Sequence, residues 1–557
     1  MLLPILITTL LWHSTAVSAD TDEVVACQPV KLPPLDGLEV VSVTAIERRD
    51  HTVPKFKMPY VLDHDIPNLN FCNITVKITH PELGDLTTIS VWLPSRKDWN
   101  GRFMATGGGG WASGTFDPSL GQAIEQGFAA ASTDGGHAIA GSNSDIDPTP
   151  WALKEDGSIN WQLLHSFAGR SAHNMGVVGK AVTEAHYGVK PHHSYWSGCS
   201  NGGRQGLVVA QQYPEDYDGI LAAAPALNFP ALQMASLWPQ IVMKEAGSFP
   251  PPCELDYFAE LALEQCDGLD GLVDGVIQSI DDCDFDPFQA VGRTIQCNDE
   301  SIVISNSTAA LVARMTAGPT SPQGQNLWFG IPPSCRLSPL AGTKVSPVTG
   351  QRVGAPFFVS DAWVKAFLRR DLSYDVTQIG AEEYTWLFTQ SLLQYDWLLG
   401  SNNPDLSGLR KTGTKLLSWH GMLDELIPYK TIIQYRQRVE EMSGGASATN
   451  EFFRLFLAPG VKHCAFGDGP VPVKPINALI AWVEEGVPAQ TLVAETKSSG
   501  SLVRRNLCLY PQQLHYVKGD PASPESWTCV DKKDAKSKNV QVEKGFGSSI
   551  QKILGKI

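Results

Sequence analysis

A serine in a glycine-framed turn is the residue of this sequence best suited to covalent chemistry. Ser200 lies in residues 198–202 (Gly-Cys-Ser-Asn-Gly), which fit the pattern G-x-S-x-G. The pattern has the context that it needs, because a strand is predicted before it and a helix after it. Glycines allow a tight strand-to-helix turn that exposes the hydroxyl, and a helix N-terminus favours developing negative charge. We therefore predict a nucleophilic serine rather than a glycine-rich turn with an incidental one.

A serine hydroxyl needs a base to take its proton and a carboxylate to orient that base. Asp424 and His463 follow Ser200 in the order serine, acid, histidine that is typical of α/β hydrolases, and each comes just after a predicted strand. Catalytic groups of parallel sheets lie in such loops at strand ends. The order and the positions together predict the triad Ser200, Asp424 and His463.

Three neighbours compete for these roles. Glu425 is the alternative acid and His420 the alternative base, but His420 precedes the acid and would break the expected order. His137 lies upstream of the serine and is interpreted as a structural or pocket residue.

Two cysteines adjoin the predicted triad. Cys199 precedes the serine and Cys464 follows the histidine. If the serine and the histidine meet, the two cysteines come close enough to bond. Such a disulfide would fix the geometry of the serine and the histidine.

An acyl-transfer intermediate also requires backbone donors for its oxyanion. The N–H of Asn201, the residue after the nucleophile, is the first predicted donor. The glycine run 107–110 supplies the second, because glycine lets a backbone approach the substrate closely. We assign Gly110, although its position hardly separates it from Gly109.

The elements that must position these groups alternate between strand and helix over much of the chain. This alternation indicates a parallel α/β sheet, and it is lost between about residues 226 and 412. We interpret that stretch as an insertion into one α/β domain. Strands are predicted at 86–93, 102–106, 127–132, 193–197, 414–419 and 453–458, and helices at 165–186, from the serine turn through 213, and at 476–485.

Composition and charge restrict the partners. The chain has 557 residues, 43% apolar and 18% charged, with a formal charge of −15. These values are typical of a globular protein, and the acidic balance argues against nucleic acid or an anionic membrane as the principal partner. The oligomeric state is left open.

The N-terminal residues, the cysteine count and two glycosylation sequons suggest export. Residues 1–19 contain a short apolar run followed by small residues and resemble a removed secretory signal. Eleven cysteines indicate disulfides with at least one thiol left over. Glycosylation sequons begin at Asn73 and Asn306. Residues 531–557 are lysine-rich and are predicted to form a loosely ordered tail.

Taken together, these motifs resemble the tannase and feruloyl esterase family from about Cys27 to Cys529. The resemblance is carried by residues 198–204 (Gly-Cys-Ser-Asn-Gly-Gly-Arg), Asp424 and 463–464 (His-Cys). Further matching stretches are residues 100–103, the glycine run, 133–137, 217–220 and 482–484. The resemblance implies an α/β-hydrolase fold with a large inserted lid. The implied organisation is 20–225 and 413–530 for the catalytic domain and 226–412 for the lid.

An acidic segment of the lid suggests a cation. Residues 266–276 place three carboxylates within eight residues, among glycines, and hard oxygen ligands of this density suit Ca²⁺, although the spacing is not that of an EF-hand. The family resemblance implies a structural calcium ion. It would be held by the side chains of Asp267, Asp270 and Asp274 and by the carbonyls of Leu272 and Val276.

The resemblance also implies a set of disulfides that leaves Cys253 free. The pair Cys297–Cys335 departs from the family pattern, whose relatives often close a shorter loop there. The implied pairs are Cys27–Cys72, Cys199–Cys464, Cys266–Cys283, Cys297–Cys335 and Cys508–Cys529.

The resulting expectation is a secreted, extracellular serine esterase acting on small aromatic esters, either hydroxycinnamoyl or galloyl. One alternative is a hydrolase or acyl-transferring enzyme for a specialised ester or lactone; another is a non-catalytic binding protein on the same scaffold. The lid aromatics could line an aromatic pocket, but we expect most of them to form lid core and assign none to substrate. They are Trp238, Trp328, Phe329, Trp363, Trp386, Phe388 and Trp397.

Overall fold

The computed structural model describes residues 26–55, 64–81, 83–137, 147–496 and 502–531. The predicted signal of residues 1–19 lies outside the described residues, as does the predicted tail apart from its first residue.

A nine-stranded sheet forms the centre of the molecule. It is antiparallel from β1 through β5 and parallel from β5 onward. In sheet order its strands are β1 (Glu39–Val53), β2 (Ile66–Thr79), β3 (Thr87–Pro94), β5 (Ala129–Thr133), β4 (Arg102–Thr106), β6 (His193–Cys199), β7 (Gly219–Ala223), β12 (Lys415–Gly421) and β13 (Phe453–Ala458).

The parallel strands are short and apolar because helices cover both of their faces. Every residue of β5 and β7 is buried. On β4, Phe103 packs in one apolar cluster and Met104 in the cluster of the opposite face. One cluster includes α4 (Ser171–Tyr187), α5 (Asn201–Gln212) and α12 (Lys430–Ser443), and the other includes α1 (Asp117–Glu125) and α14 (Pro475–Glu484).

The segment 226–412 contributes no described strand to this sheet. Its helices are α6 (Phe229–Ala246), α7 (Pro252–Cys266), α8 (Asn306–Ala317), α9 (Phe358–Ala362), α10 (Ala381–Leu399) and α11 (Ser407–Thr412). Two small hairpins accompany them, formed by β8 (Thr294–Cys297) with β9 (Glu300–Val303) and by β10 (Thr343–Val345) with β11 (Arg352–Gly354).

One tryptophan, directly after the glycine run of the catalytic domain, packs on aromatic residues of the inserted segment. Trp111 is fully buried, and its ring centroid lies 5.3 Å from that of Phe229, 6.2 Å from that of Trp363 and 5.4 Å from that of Phe367. Aromatic rings in such arrangements add specific contacts to the burial of their area. This cluster therefore joins the two parts of the fold next to the loop after β4.

The remaining elements lie around these two units. The short helices are α2 (Thr149–Ala152), α3 (Trp161–His165) and α13 (Ala446–Asn450). The C-terminal strands form one sheet from β14 (Val471–Pro472), β15 (Thr491–Thr496) and β16 (Val503–Cys508) and a second from β17 (Gln513–Tyr516) and β18 (Trp527–Val530). Among the described helices, none is both long and apolar enough to cross a membrane.

Candidate active site

Ser200 occupies a strained turn between the central strand β6 and helix α5. Its backbone has φ 61° and ψ −121°, a region that residues with a side chain seldom adopt. Its N–H donates to the carbonyl of Ala223 at 3.1 Å, and its carbonyl accepts from the N–H of Arg204 at 2.9 Å. These bonds hold the turn at the carboxyl end of the sheet, where the serine begins a helix.

Small residues are required on both sides of this turn. A Cβ on Gly198 would lie 2.6 Å from the backbone of Gly202, and a Cβ on Gly202 would lie 2.9 Å from the carbonyl oxygen of Gly108. The glycines of the G-x-S-x-G pattern are therefore explained by close backbone contact.

Asp424 and His463 lie in the loops after β12 and β13 and form a hydrogen-bonded pair. The Nδ1 of His463 is 2.8 Å from Oδ2 of Asp424, whose side chain is fully buried. Oδ1 of the aspartate accepts from the N–H groups of Leu426 at 3.0 Å and Ile427 at 2.8 Å. The carboxylate is thus fixed by the backbone on one side and holds the imidazole on the other.

The electrostatics of this pair favour an ionised acid and a basic histidine. Burial alone would raise the pKa of Asp424, but His463 and His420 hold it well below its usual range. Burial would lower the pKa of His463, yet Asp424 and then Glu425 raise it above its ordinary value. A histidine poised in this way can accept a proton from an adjacent hydroxyl.

The disulfide Cys199–Cys464 brings the serine turn and the histidine loop together. The Cα atoms of the two cysteines are 6.1 Å apart across a sequence separation of 265. Each cysteine is the chain neighbour of one predicted catalytic residue, so this bond places Ser200 and His463 in adjacent backbone segments.

The glycine loop after β4 is tied to helix α5 by side-chain amides. Gln205 is fully buried; its Oε1 accepts from the N–H of Gly108 at 3.0 Å, and its Nε2 donates to the carbonyl of Ser113 at 3.1 Å. Nδ2 of Asn201 donates to the carbonyl of Ala112 at 2.9 Å. The loop is therefore held against the N-terminal turn of the helix.

These bonds restrict which loop amides remain for an oxyanion. The N–H of Gly107 donates to Ser197 and that of Gly108 to Gln205, so both are already engaged. Gly110, the predicted second donor, has φ +58°. The assignment of Asn201 and Gly110 as the oxyanion donors stays a prediction.

The competing residues have other partners. His420 is fully buried beside Asp424, at 3.2 Å from its Oδ2. Oε2 of Glu425 accepts from the backbone N–H of His463 at 3.4 Å. His137 stacks on Trp151 with ring centroids 4.2 Å apart, and burial lowers its pKa to about 4. Neither Glu425 nor His137 takes the place of a triad member in this arrangement.

A buried arginine next to the nucleophile is a feature that our sequence analysis missed as an individual residue. Arg204 donates to Oδ1 of Asn201 at 2.8 Å and to the carbonyls of Phe167 and Ala168 at 2.8 and 2.9 Å. Burial lowers its pKa to about 9. Arg204 and Gln205 could have been noticed in the sequence because they are large polar residues among the glycines and apolar residues in the first turns of α5.

The cysteine pairing differs from the prediction at one site. Cys27–Cys72, Cys199–Cys464, Cys266–Cys283 and Cys508–Cys529 are present as predicted. The predicted bond Cys297–Cys335 is wrong, because Cys253 bonds Cys297 and Cys335 is a buried free thiol. The physical reason is that the first turn of α7 packs on the end of β8, which brings the Cα atoms of Cys253 and Cys297 within 5.7 Å.

The acidic segment predicted to bind calcium folds into a tight loop after α7. Both carboxylate oxygens of Asp267 accept from backbone N–H groups of residues 274–276. Oδ1 of Asp270 accepts from the N–H of Leu272 at 3.0 Å, while its Oδ2 is buried and has no partner among the described residues. Asp274 lies 3.1 Å from the guanidinium of Arg505.

The donor chemistry of this loop fits a hard cation. Burial and then the neighbouring Asp274 and Asp267 raise the pKa of Asp270 to about 6, so a positive charge close to Asp270 would relieve both effects. Arg505 is in direct contact with Asp274 and acts on Asp270 only through the longer-range attraction of opposite charges.

The two sequons lie in different surroundings. Asn73 lies on β2, where its Oδ1 accepts from the hydroxyl of Ser90 at 2.9 Å. Asn306 is exposed at the start of α8.

A serine at a strand-to-helix turn, followed by an acid and a histidine after later parallel strands, is the arrangement of the α/β-hydrolase fold, which this chain adopts. The sequence pattern described as "Tannase and feruloyl esterase" matches residues 72–530. The chain therefore belongs to that family, as its motifs predicted, and is a carboxylic ester hydrolase of the feruloyl esterase or tannase type.

Individual relatives agree with this assignment. A "Probable feruloyl esterase" of Arthroderma benhamiae is 42% identical over 524 residues, covering 93% of this chain and 96% of the relative. The solved tannin acyl hydrolase of Aspergillus niger has a TM-score of 0.82 at 27% identity, covering 91% of this chain and 95% of that one. The solved feruloyl esterase B of Aspergillus oryzae has a TM-score of 0.74 at 25% identity, covering 89% and 98%.

Proposed function

We propose that this protein is a secreted serine esterase that cleaves small aromatic esters, hydroxycinnamoyl or galloyl, through an acyl-enzyme. The observation that carries the proposal is the Asp424–His463 pair, whose histidine is joined to the turn of Ser200 through the disulfide between their chain neighbours Cys464 and Cys199. A base oriented by a buried carboxylate next to a serine on an elbow is the arrangement that activates a hydroxyl.

The proposed reaction has two steps. Oγ of Ser200 attacks the ester carbonyl while Nε2 of His463 takes its proton, and Asp424 stabilises the imidazolium through Nδ1. The tetrahedral oxyanion is stabilised by the N–H groups of Asn201 and Gly110. Collapse expels the alcohol, which receives the proton from His463. Water then attacks the acyl-enzyme by the same route and releases the acid and the free serine.

The aromatic substrate class is supported by the names of the relatives, which are feruloyl esterases and a tannin acyl hydrolase. Four lid aromatics are buried, namely Trp238, Trp328, Trp363 and Phe388, which is expected of lid core. Trp386 and Trp397 are exposed by 50% and 65%. No lid aromatic is assigned to substrate.

The substrate class is tested with a panel of methyl ferulate, methyl caffeate, methyl gallate and p-nitrophenyl acetate, with Ser200→Ala as the control. Release of ferulate or caffeate by the wild type alone identifies a feruloyl esterase, and release of gallate identifies a tannase. Cleavage of the acetate alone would keep the serine mechanism and refute the aromatic substrate. Failure with every ester would favour a specialised ester or lactone.

We further propose that the lid holds a structural calcium ion. The side chains of Asp267, Asp270 and Asp274 would hold it together with the carbonyls of Leu272 and Val276. The support is the buried Oδ2 of Asp270, which has no hydrogen-bond partner in the described part of the chain, and the mutual repulsion of the carboxylates. When bound, the ion would supply charge neutralisation to the loop, and the reaction involves no group of this segment.

An extracellular location is the third part of the proposal. Five disulfides in the described residues are expected of a protein that folds in an oxidising compartment. Of the two sequons, Asn306 is the better acceptor because it is exposed, whereas the side chain of Asn73 is hydrogen-bonded on a strand. Mass analysis of the protein from a eukaryotic secreting host, before and after deglycosylation, tests this part.

A further inference from the structure

A second histidine lies on the acid of the predicted triad. His420 is the penultimate residue of β12, a strand whose last six residues are all buried, and its side chain is fully buried. Its Nε2 lies 3.2 Å from Oδ2 of Asp424 and 3.0 Å from the carbonyl oxygen of Ile427. Two acceptors therefore converge on one nitrogen of this ring.

The partners of the ring define its protonation. Nε2 faces two oxygen acceptors, so it carries the hydrogen, since a lone pair there would be repelled by both. Nδ1 is buried with no partner among the described residues, and a proton on it would be left unsatisfied. The geometry therefore places a hydrogen on Nε2.

His420 adds a further polar contact to the carboxylate, because its Nε2, hydrogen-bonded to the carbonyl of Ile427, also lies 3.2 Å from Oδ2 of Asp424. Oδ1 of Asp424 accepts from the backbone N–H groups of Leu426 and Ile427, while Oδ2 lies within hydrogen-bond distance of His463 and His420. An ionised carboxylate has about four acceptor positions; three are taken by hydrogen bonds, and His420 lies against the fourth.

We propose that His420 is a positioning residue of the esterase reaction, whose Nε2–H group holds Oδ2 of Asp424 toward His463 and moderates the basicity of that histidine. The inference rests on the proposed function, because it assigns His420 a role in the triad chemistry. It does not make His420 a base, since its side chain is fully buried and its Nε2 faces two acceptors.

The charged neighbours set the background for this effect. Glu425 interacts electrostatically with both Asp424 and His463. The free thiol of Cys335 interacts in the same way with Asp424, Glu425 and Lys462. These groups stay in place when His420 is replaced. A change in the titration of His463 on substitution of His420 therefore reports the lost hydrogen bond.

Two substitutions separate the hydrogen bond from the bulk of the ring. The amide nitrogen of His420→Gln follows the same number of bonds from the backbone as Nε2, so it can donate to Asp424. The amide of His420→Asn ends at the position of Nδ1 and leaves the donor position empty. His80→Gln is the matched control, because His80 is a largely buried histidine bound to another carboxylate, with Nδ1 2.6 Å from Oδ2 of Asp85.

The first measurement is the pH profile of kcat and KM for the wild type and these variants. We expect His420→Asn to lower kcat about ten-fold with KM little changed, and to move the acidic limb of kcat/KM upward by about half a pH unit or more, because a carboxylate with fewer donors stabilises the imidazolium of His463 more strongly. His420→Gln is expected to restore both quantities toward wild type, and His80→Gln to leave the limb unmoved. The proposal would be overturned if the acidic limbs of kcat/KM coincided for the wild type and both His420 variants and only the melting temperature fell. Identical behaviour of the Gln and Asn variants would also overturn it.

The second measurement does not depend on turnover. Protein labelled with ¹⁵N-histidine reports the titration of the His463 imidazole by NMR, assigned by its loss in His463→Gln. An upward shift in the titration of His463 in His420→Asn that is absent from His420→Gln supports the proposal, even if no ester is hydrolysed. A lack of ester hydrolysis would count against the proposed function alone. Unchanged titration in an active enzyme would overturn the role of His420 and leave the esterase function intact.

Discussion

Cys199 and Cys464 are bonded to each other, and each adjoins a different member of the proposed triad. Both cysteines are buried, at 6% and 0% exposure. The bond joins the turn before α5 to the loop after β13, two segments that lie 265 residues apart along the chain. The relative position of the serine and the histidine therefore depends on a covalent link as well as on the packing of the sheet.

Removal of this disulfide tests its role in the site. We expect the double variant Cys199→Ala, Cys464→Ala to lose about 3–5 kcal/mol of unfolding free energy and at least about ten-fold in kcat. The loss of kcat follows because the serine and the histidine would no longer be held in one geometry. Chemical denaturation and ester turnover are measured on the same samples.

The matched control is Cys508→Ala, Cys529→Ala, which removes a disulfide in the C-terminal strands. It should lower stability while leaving kcat close to wild type. Equal loss of kcat in both double variants would contradict a specific role for the Cys199–Cys464 bond.

Gln205 holds the loop that is proposed to supply the second oxyanion donor. Gln205→Glu keeps an acceptor for Gly108 but loses the donor to the carbonyl of Ser113. We expect kcat to fall about ten- to hundred-fold with KM nearly constant. The reason is that displaced donors stabilise the oxyanion of the transition state less, while they contribute little to binding of the substrate. Steady-state kinetics on methyl ferulate measures both constants.

Gln211→Glu is the control for this substitution. Gln211 lies on the same helix, and its amide donates to the carbonyl of Ser401 and to the hydroxyl of Tyr435, away from the glycine loop. A fall in kcat of the same size in both variants would attribute the effect to the helix rather than to the loop.

His137 makes the fold sensitive to acid. Nε2 lies 3.0 Å from the carbonyl of Leu163 and Nδ1 lies 3.2 Å from the hydroxyl of Ser113, and burial lowers the pKa of the ring to about 4 from 6.5. The unfolded imidazole binds a proton below about pH 6.5, whereas the folded one stays neutral down to about pH 4. Stability is therefore lost as the pH falls through this window, by roughly 3 kcal/mol in all.

The prediction is tested by denaturation of the wild type and His137→Gln at pH 7 and pH 5. The variant should be less stable at pH 7 but should lose about 2 kcal/mol less than the wild type on acidification to pH 5. Parallel losses in the two proteins would show that this histidine does not account for the acid sensitivity.

Calcium removal tests the proposed lid site. We expect dialysis against EGTA to lower the melting temperature by several degrees, and Ca²⁺ to restore it more effectively than Mg²⁺, which dehydrates reluctantly. In Asp270→Asn the response to EGTA should be lost. Asp282→Asn is the control, an exposed acid within the same Cys266–Cys283 loop, and it should respond like the wild type. A melting temperature indifferent to EGTA in the wild type would refute the site.

The strands that position the triad were predictable because each is a short apolar run that ends in a polar loop. The predicted strands 102–106 and 453–458 coincide with β4 and β13, and 414–419 lies within one or two residues of β12. The edge strand β1 and its neighbour β2 were not predicted. The burial pattern of β1 is mostly exposed, so its sequence lacks an apolar run or a clean alternation.

Features that depend on tertiary contacts could not be predicted from the sequence. The predicted helix 165–186 is divided into α3, a π-helical turn over Ser166–Arg170 and α4. A Cβ on Gly169 within that turn would lie 2.3 Å from Val208, so its form follows the packing on α5. The Cys253–Cys297 pair likewise depends on how α7 meets β8, and sequence spacing does not determine that contact.

The proposed esterase reaction requires that Ser200 becomes acylated. Methyl ferulate is mixed with the enzyme, the reaction is quenched within the first turnover, and the protein is digested for mass spectrometry. We expect a feruloyl group on the peptide that contains Ser200, and neither adduct nor turnover in Ser200→Ala. Ester hydrolysis by Ser200→Ala at the wild-type rate, or an acyl group on another residue, would contradict it.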